Sequence, residues 1–217
     1  MQYQKVKILI EIGGLDKALE ICNLDKWQDN GAMQHQKIKI LIRTGRLEEA
    51  LAICNLDIWQ KNKRTQSQKI TILIKLGRLE EALEICSQIP EDVAIQSQKI
   101  TILIELKRYK EALEICSQIP EEVAIQSQKI TILIKLRRYN EALEICNLDK
   151  WQNIDVIQSQ KVTILTKLGR LEEALEICNL EIWKANNLIR RQKRKILKTL
   201  EQEKDLNNEI KRGISEL

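Results

Sequence analysis

A single unit written six times constrains this chain more than anything else in it. The stretch from Gln66 to Ile95 returns almost letter for letter from Gln96 to Ile125, and four looser copies flank the pair. Equivalent lysines stand at Lys5, Lys37, Lys69, Lys99, Lys129 and Lys161, at intervals of 32, 32, 30, 30 and 32 residues. Ala18, Ala50, Ala82, Ala112, Ala142 and Ala174 keep the same register, as do Cys22, Cys54, Cys86, Cys116, Cys146 and Cys178. A period of this length marks a stacked array in which no unit buries its apolar face alone.

Within one unit the apolar spacing predicts two helices. Ile70, Leu73, Ile74 and Gly77 fall at helical intervals, widened by Ile72 and Leu76; Leu79, Ala82, Leu83 and Cys86 repeat the pattern. Glu80, Glu81 and Glu84 are left outward near the start of the second helix, where negative charge suits the helix dipole. Gly77-Arg78 makes the turn between the two. Pro90 either stops the second helix or opens the next at its first position, where a missing N–H does no harm. The β-branched run Lys-Ile-Thr-Ile-Leu-Ile admits a strand, but the helical stripe speaks against it. The expected fold is all-α: a right-handed α-solenoid, or superhelix, of six helix-turn-helix repeats of 30–32 residues plus a long C-terminal capping helix.

The residues at the turn carry a resemblance. Gly-Arg-Leu-Glu-Glu-Ala-Leu, at positions 45–51, 77–83 and 169–175, resembles the turn and second-helix start of a tetratricopeptide repeat (TPR). Tyr109 and Tyr139 supply that family's usual aromatic where Leu79 stands, and Ala82 and its equivalents match its small residue at the helix crossing. The resemblance covers about residues 2–183. It implies first helices that line a concave surface, with Ser67, Thr71, Ile74, Lys75 and their equivalents facing that groove.

Two connectors alternate. Copies 3 and 4 use Ser-Gln-Ile-Pro-Glu; the other four use Asn-Leu-Asp/Glu-x-Trp, which puts Trp27, Trp59, Trp151 and Trp183 at one structural position. Their indoles either plug the gap that the longer connector opens or stand out as anchors for a partner. The covariation with connector length favours packing. A second repeated feature is the pair Gln66/Gln68, which recurs at Gln96/Gln98 and in every other copy. The amides serve either hydrogen bonding between repeats or recognition, and both readings stay open. On the same helices the Thr71 slot becomes Lys7 and Lys39 in copies 1 and 2, which adds positive charge to that end of the groove.

After Trp183 the pattern changes. Gln192-Lys193 starts a seventh copy, but Glu201-Gln202 replaces the turn, so residues 184–217 read as a degenerate seventh repeat that continues as a capping helix, with Leu206, Ile210, Ile214 and Leu217 on an apolar stripe. Residues 1–183 hold 26 basic and 26 acidic side chains, while 184–217 hold 10 and 5, so the tail carries the whole net charge of +5. Arg190, Arg191, Lys193, Arg194, Lys195 and Lys198 form its dense cluster. Such a cluster is either a solvated helix face or a seat for nucleic acid, an acidic protein surface or an anionic membrane. No aromatic interleaves with it, which counts against single-stranded nucleic acid.

Chemistry is not signalled. The cysteines come one per repeat with no Cys-x-x-Cys pair, so a zinc site is not indicated and the thiols read as core. His35 is the sole histidine and takes the place of Ser67 and Ser97, which suggests a variable surface position. No catalytic, cofactor-binding or metal-binding residue is expected. No run has the length of a membrane span, and the N-terminus lacks a secretory pattern, which favours the cytoplasm. The expected function is a protein–protein interaction scaffold that binds a peptide or protein segment on the repeat surface through Lys7, Lys39, Gln66, Ser67, Gln68, Thr71, Lys75, Gln96 and Gln98. The alternatives are a nucleic-acid-associated or inhibitory protein acting through the basic tail, and a self-associating module.

Overall fold

The computed structural model describes residues 2–215, with side chains placed for 2–208 and for Ile210. Every regular element among them is helical. Six hairpins follow one another: α1 (Gln2–Glu11) with α2 (Leu15–Cys22), α3 (Gly31–Arg43) with α4 (Leu47–Cys54), α5 (Lys63–Lys75) with α6 (Leu79–Ser87), α7 (Val93–Glu105) with α8 (Tyr109–Gln118), α9 (Val123–Lys135) with α10 (Tyr139–Cys146), and α11 (Asp155–Lys167) with α12 (Leu171–Asn179). A long helix, α13 (Asn187–Ser215), ends the chain. The strand alternative is thereby set aside, and the fold is an all-α solenoid.

The helices fall into two compact units, residues 1–112 and 113–217. In the first, α1, α3, α5 and α7 pack in sequence as one row, and α2, α4 and α6 each touch the first helix of the following hairpin. In the second, α11 lies between α9 and α13, and α10 and α12 pack on α11 and α13. Ile and Leu fill both cores, with each repeat adding its own fully buried set, such as Ile70, Ile72 and Leu73. At roughly 1.5–3 kcal/mol for a fully buried aliphatic side chain, these repeated slots supply the main driving force. The small crossing residues Ala18, Ala50, Ala82, Ala112, Ala142 and Ala174 are all fully enclosed.

The hairpin turn is set by backbone hydrogen bonds. Arg78 N–H donates to Leu73 O at 2.9 Å and Gly77 N–H to Ile74 O at 3.0 Å, the pair of bonds that closes a helix on a left-handed residue. Gly77 has φ +75°, as the closure requires. In the next two copies the same position is Lys107 (φ 59°) and Arg137 (φ 58°), so the turn persists where its glycine does not. Arg78 then grips Glu81 through two bonds of 2.6 and 2.7 Å, and the same clasp recurs as Arg46–Glu49, Arg108–Glu111, Arg138–Glu141 and Arg170–Glu173.

Three first helices and α13 are capped by the side chain of the residue before them. Asn30, Asn62, Asp92 and Asn186 accept from backbone N–H groups of α3, α5, α7 and α13. Pro90 sits in the turn that follows α6, and Val93 holds the first position of α7, so the proline stops one helix and does not open the next.

The surface placement expected for His35 is corrected. Its side chain is 7% exposed, and Nε2 lies 3.0 Å from Thr65 Oγ1 on α5. Its ring also stands 6.4 Å from that of Trp59. The serine of the same slot also bonds to the next first helix, Ser67 Oγ to Gln98 Oε1 and Ser159 Oγ to Gln192 Oε1, both at 3.2 Å, so the slot is a joint between repeats and His35 fills it with a longer side chain.

Candidate partner-binding surface

The Gln pair divides its labour. From the second copy on, the first member of the pair ties its helix to the stretch just before it: Gln34 Nε2 donates to Trp27 O at 2.8 Å and Gln158 Nε2 to Trp151 O at 3.1 Å. Gln66 and Gln96 do the same toward the carbonyls of Gln60 and Pro90. The second member reaches the first helix of the preceding repeat. Gln98 Nε2 donates to Ser67 O at 2.9 Å and Thr71 Oγ1 at 2.8 Å; Gln160 makes the same two bonds to Ser127 and Thr131, and Gln192 to Ser159 and Thr163. Gln68 reaches His35 O alone, at 3.0 Å, since Lys39 occupies the threonine slot of copy 2.

These bonds sort the residues expected to bind a partner. Gln66, Ser67, Gln68, Thr71, Gln96 and Gln98 are half-buried and bonded to the fabric of the array. Lys7, Lys39 and Lys75, on α1, α3 and α5, are exposed, and none is in an ion pair among the described residues. Lys7 Nζ lies 5.9 Å from the centre of the Tyr3 ring. Beside them Arg43, which follows Lys39 by one turn, donates through Nη1 to Ile10 O at 2.8 Å and is committed to the neighbouring helix. The first-helix row of residues 1–112 thus carries a polar lattice, and Lys7, Lys39 and Lys75 are exposed ammonium groups on it with no ion-pair partner among the described residues.

The tryptophans pack. Each ends a short 3-10 turn between hairpins, and Trp59, Trp151 and Trp183 are buried, with Trp27 half-buried. A Cβ on Gly31 would come within 3.2 Å of the Trp59 ring, so the glycine at the start of α3 makes room for it. All four indole N–H groups are enclosed without an acceptor, so the rings contribute apolar contact and no hydrogen bond. The outward side chains of these connectors are instead Leu56 and Ile58, or Leu180 and Ile182. Lys26 and Lys150 take the Ile58 position in their copies and lie 5.2 and 4.9 Å from the rings of Trp27 and Trp151.

The basic cluster surrounds the first half of α13. Arg191 and Lys195 join Lys167, Thr163, Leu188 and Ile196 around a cleft of about 450 Å³ between α11 and α13. Arg190, Lys193 and Arg194 line another of about 550 Å³ on the α12 side, with Lys184, Leu197 and Cys178. From the far end of the helix, Leu206 and Ile210 are exposed, whereas the Ile214 side chain and Leu217 lie outside what the structure describes. Glu201-Gln202 causes no break, and α13 runs on as one helix.

Nothing else concentrates chemistry. All six thiols are free and buried, and burial pushes Cys22, Cys54, Cys86 and Cys116 up to about 11 and Cys146 to about 12. They are small apolar fillers at neutral pH. Among the described residues no group of three His, Cys, Asp or Glu side chains is placed to hold a metal ion, and no helix is long and apolar enough to cross a membrane.

No protein-family profile matches the sequence, and no curated protein matches it either. Solved structures do. The chain is similar to the crystal structure of a tetratricopeptide repeat protein from Parabacteroides merdae, with a TM-score of 0.68 at 19% identity, over 93% of this chain and 87% of that one. Two weaker likenesses fall below the level at which a shared fold can be argued. One is YrrB, a TPR protein with an unusual peptide-binding site (TM-score 0.48, 16% identity, 83% of this chain and 97% of that one). The other is the TPR2AB domain of yeast Sti1 (TM-score 0.43, 17% identity, 90% and 96%). In fold, this chain is a tetratricopeptide-repeat-like helical repeat protein.

Proposed function

We propose that the protein is a non-catalytic interaction scaffold that holds a peptide or protein segment on its first-helix face. The observation that carries this reading is the contrast on residues 1–112: the Gln, Ser and Thr side chains of that face are bonded into the array, while Lys7, Lys39 and Lys75 project from it without an ion-pair partner among the described residues. Solenoids act through such extended surfaces, gathering affinity from many modest contacts. In this reading α13 closes the C-terminal end of the array, and the six unpaired thiols support residence in a reducing compartment such as the cytoplasm.

The test is to pan a displayed library of random peptides on the protein and to retitrate the enriched sequences against the K7E/K39E/K75E variant. The reading predicts enrichment of peptides that lose binding to the variant. Enriched peptides that bind both proteins equally, or no enrichment at all, would overturn it.

A further inference from the structure

Two slots of the first helix disappear beneath the packing once a second helix follows, one in all six hairpins and the other in five. The slot of Ile70 is fully enclosed at Val6, Ile38, Ile70, Ile100, Ile130 and Val162, and the slot of Leu73 is enclosed at Leu41, Leu73, Leu103, Leu133 and Leu165. Helix α13 enters the same register, for Gln192 makes the bonds to Ser159 and Thr163 that Gln160 makes to Ser127 and Thr131. Ile196 accordingly fills the Ile72 slot and is 1% exposed. Yet among the described residues no second helix folds back on α13. Counting from Lys193, the Ile70 slot holds Arg194, which is exposed, and the Leu73 slot holds Leu197, which is 39% exposed. The Ile74 slot, apolar in copies 1 to 5, holds Lys198, also exposed.

A seat for a second helix is therefore present, open and recoloured. Its centre keeps one leucine, and its flanks have become cationic. Between positions 184 and 198 the sequence holds seven Lys and Arg and not one Asp or Glu. One of the seven, Lys184, is paired with Glu181. The rest are in no ion pair among the described residues. The cleft on this side, bounded by α12, already has the Leu197 and Arg194 side chains on its wall.

We propose that this face of α13 docks an acidic amphipathic helix of a partner protein, which lies where a second helix lies in the six hairpins. The partner supplies an apolar stripe to cover Leu197 and carboxylates to meet Arg194 and Lys198, with Arg190 and Lys193 on the flank. A helix fits better than an extended strand or a phosphate backbone. The groove geometry is the one that seats a helix six times in this chain, and a leucine at its centre gains nothing from a phosphate. The chain's own second helices have the required chemistry, as Leu171–Asn179 carries three glutamates and no cation. This site lies beyond the first-helix face of residues 1–112 and does not depend on it.

The probe is a fluorescein-labelled peptide of two tandem Leu-Glu-Glu-Ala-Leu-Glu-Ile-Ala units, held helical by a lactam bridge and titrated into the 217-residue protein at low salt. A scrambled peptide of the same composition and an oligothymidylate serve as comparisons. The helix should bind about tenfold or more tighter than the scramble, and the R194E/K198E variant should lose at least about tenfold. Because those side chains are exposed, the variant should keep its melting temperature. Leu197→Asp should weaken binding as well, which a purely electrostatic association would not require. K7E/K39E/K75E should leave this binding unchanged, so failure here is separable from failure of the first-helix reading. Equal affinity for helix and scramble, tighter binding of the oligothymidylate, or an undiminished R194E/K198E would each overturn the proposal.

Discussion

His35 Nε2 and Thr65 Oγ1 meet at 3.0 Å across two successive first helices, and both side chains are buried. Burial and the nearby Arg64 guanidinium push the His35 imidazolium below its usual range, while the Asn62 side chain partly offsets them. A histidine whose folded pKa is depressed binds fewer protons in the folded state than in the unfolded one. Its contribution is therefore present above the ordinary value of 6.5 and is lost as pH falls through the folded value.

Stability should thus decline on acidification below the ordinary histidine range by more than in His35→Ser, the residue found at Ser67 and Ser97. Urea midpoints of the two proteins across that range measure the difference. Parallel curves would mean that His35 does not gate the decline.

Gln98 and Gln160 each join two repeats through a pair of bonds, whereas Gln68 has only one partner of this kind. Replacing Gln98 or Gln160 by alanine should cost about 1–2 kcal/mol each, since a lost hydrogen bond also strands half-buried acceptors. Gln68→Ala should cost less. Chemical denaturation of the three single variants gives the order, and a larger loss at Gln68 would contradict it.

Lys107 and Arg137 hold a left-handed backbone that costs an ordinary residue about 1–2 kcal/mol. Glycine removes that cost and adds about 0.5–1 kcal/mol of chain entropy. Lys107→Gly and Arg137→Gly should therefore each stabilise by about 0.5 kcal/mol, and Gly77→Ala should destabilise by about 1 kcal/mol. Calorimetric melts of the three variants test the signs.

The buried thiols predict an alkaline limit. The folded pKa of Cys86 and Cys116 is raised from 9.0 to about 11, so the fold keeps protons that the unfolded chain gives up. This contribution is whole below the unfolded value and is lost as pH climbs from 9.0 through about 11. The wild type should lose stability over that interval more steeply than C86A/C116A, measured by urea midpoint at each pH.

The hairpins were legible in the sequence because each element follows from a local pattern: the stripe Ile70–Leu73–Ile74, the turn at Gly77, the buried rows of Ala82 and Cys86. The turns at Lys107 and Arg137 show that register also carries structure where local chemistry disagrees, since the packing of the hairpin fixes what one residue would refuse. Less was legible at the surface. The roles of Gln66 and Gln68 depend on which carbonyl stands across a joint, and His35 looked like a surface substitution until its reach to Thr65 was known. Both depend on distances between repeats, which a one-dimensional pattern does not encode. Lys7, Lys39 and Lys75 were legible from their slots, but that the Gln, Ser and Thr side chains beside them are bonded into the array was not.

The central claim, that the first-helix face of residues 1–112 receives the partner, is tested most directly by site-specific photo-crosslinking. A benzophenone residue is placed in turn at Lys39, on α3, and at Glu80, on the exposed side of α6. Each protein is irradiated with a peptide enriched by panning. The account predicts a crosslinked product from position 39 and none from position 80. A product from position 80 alone would contradict it.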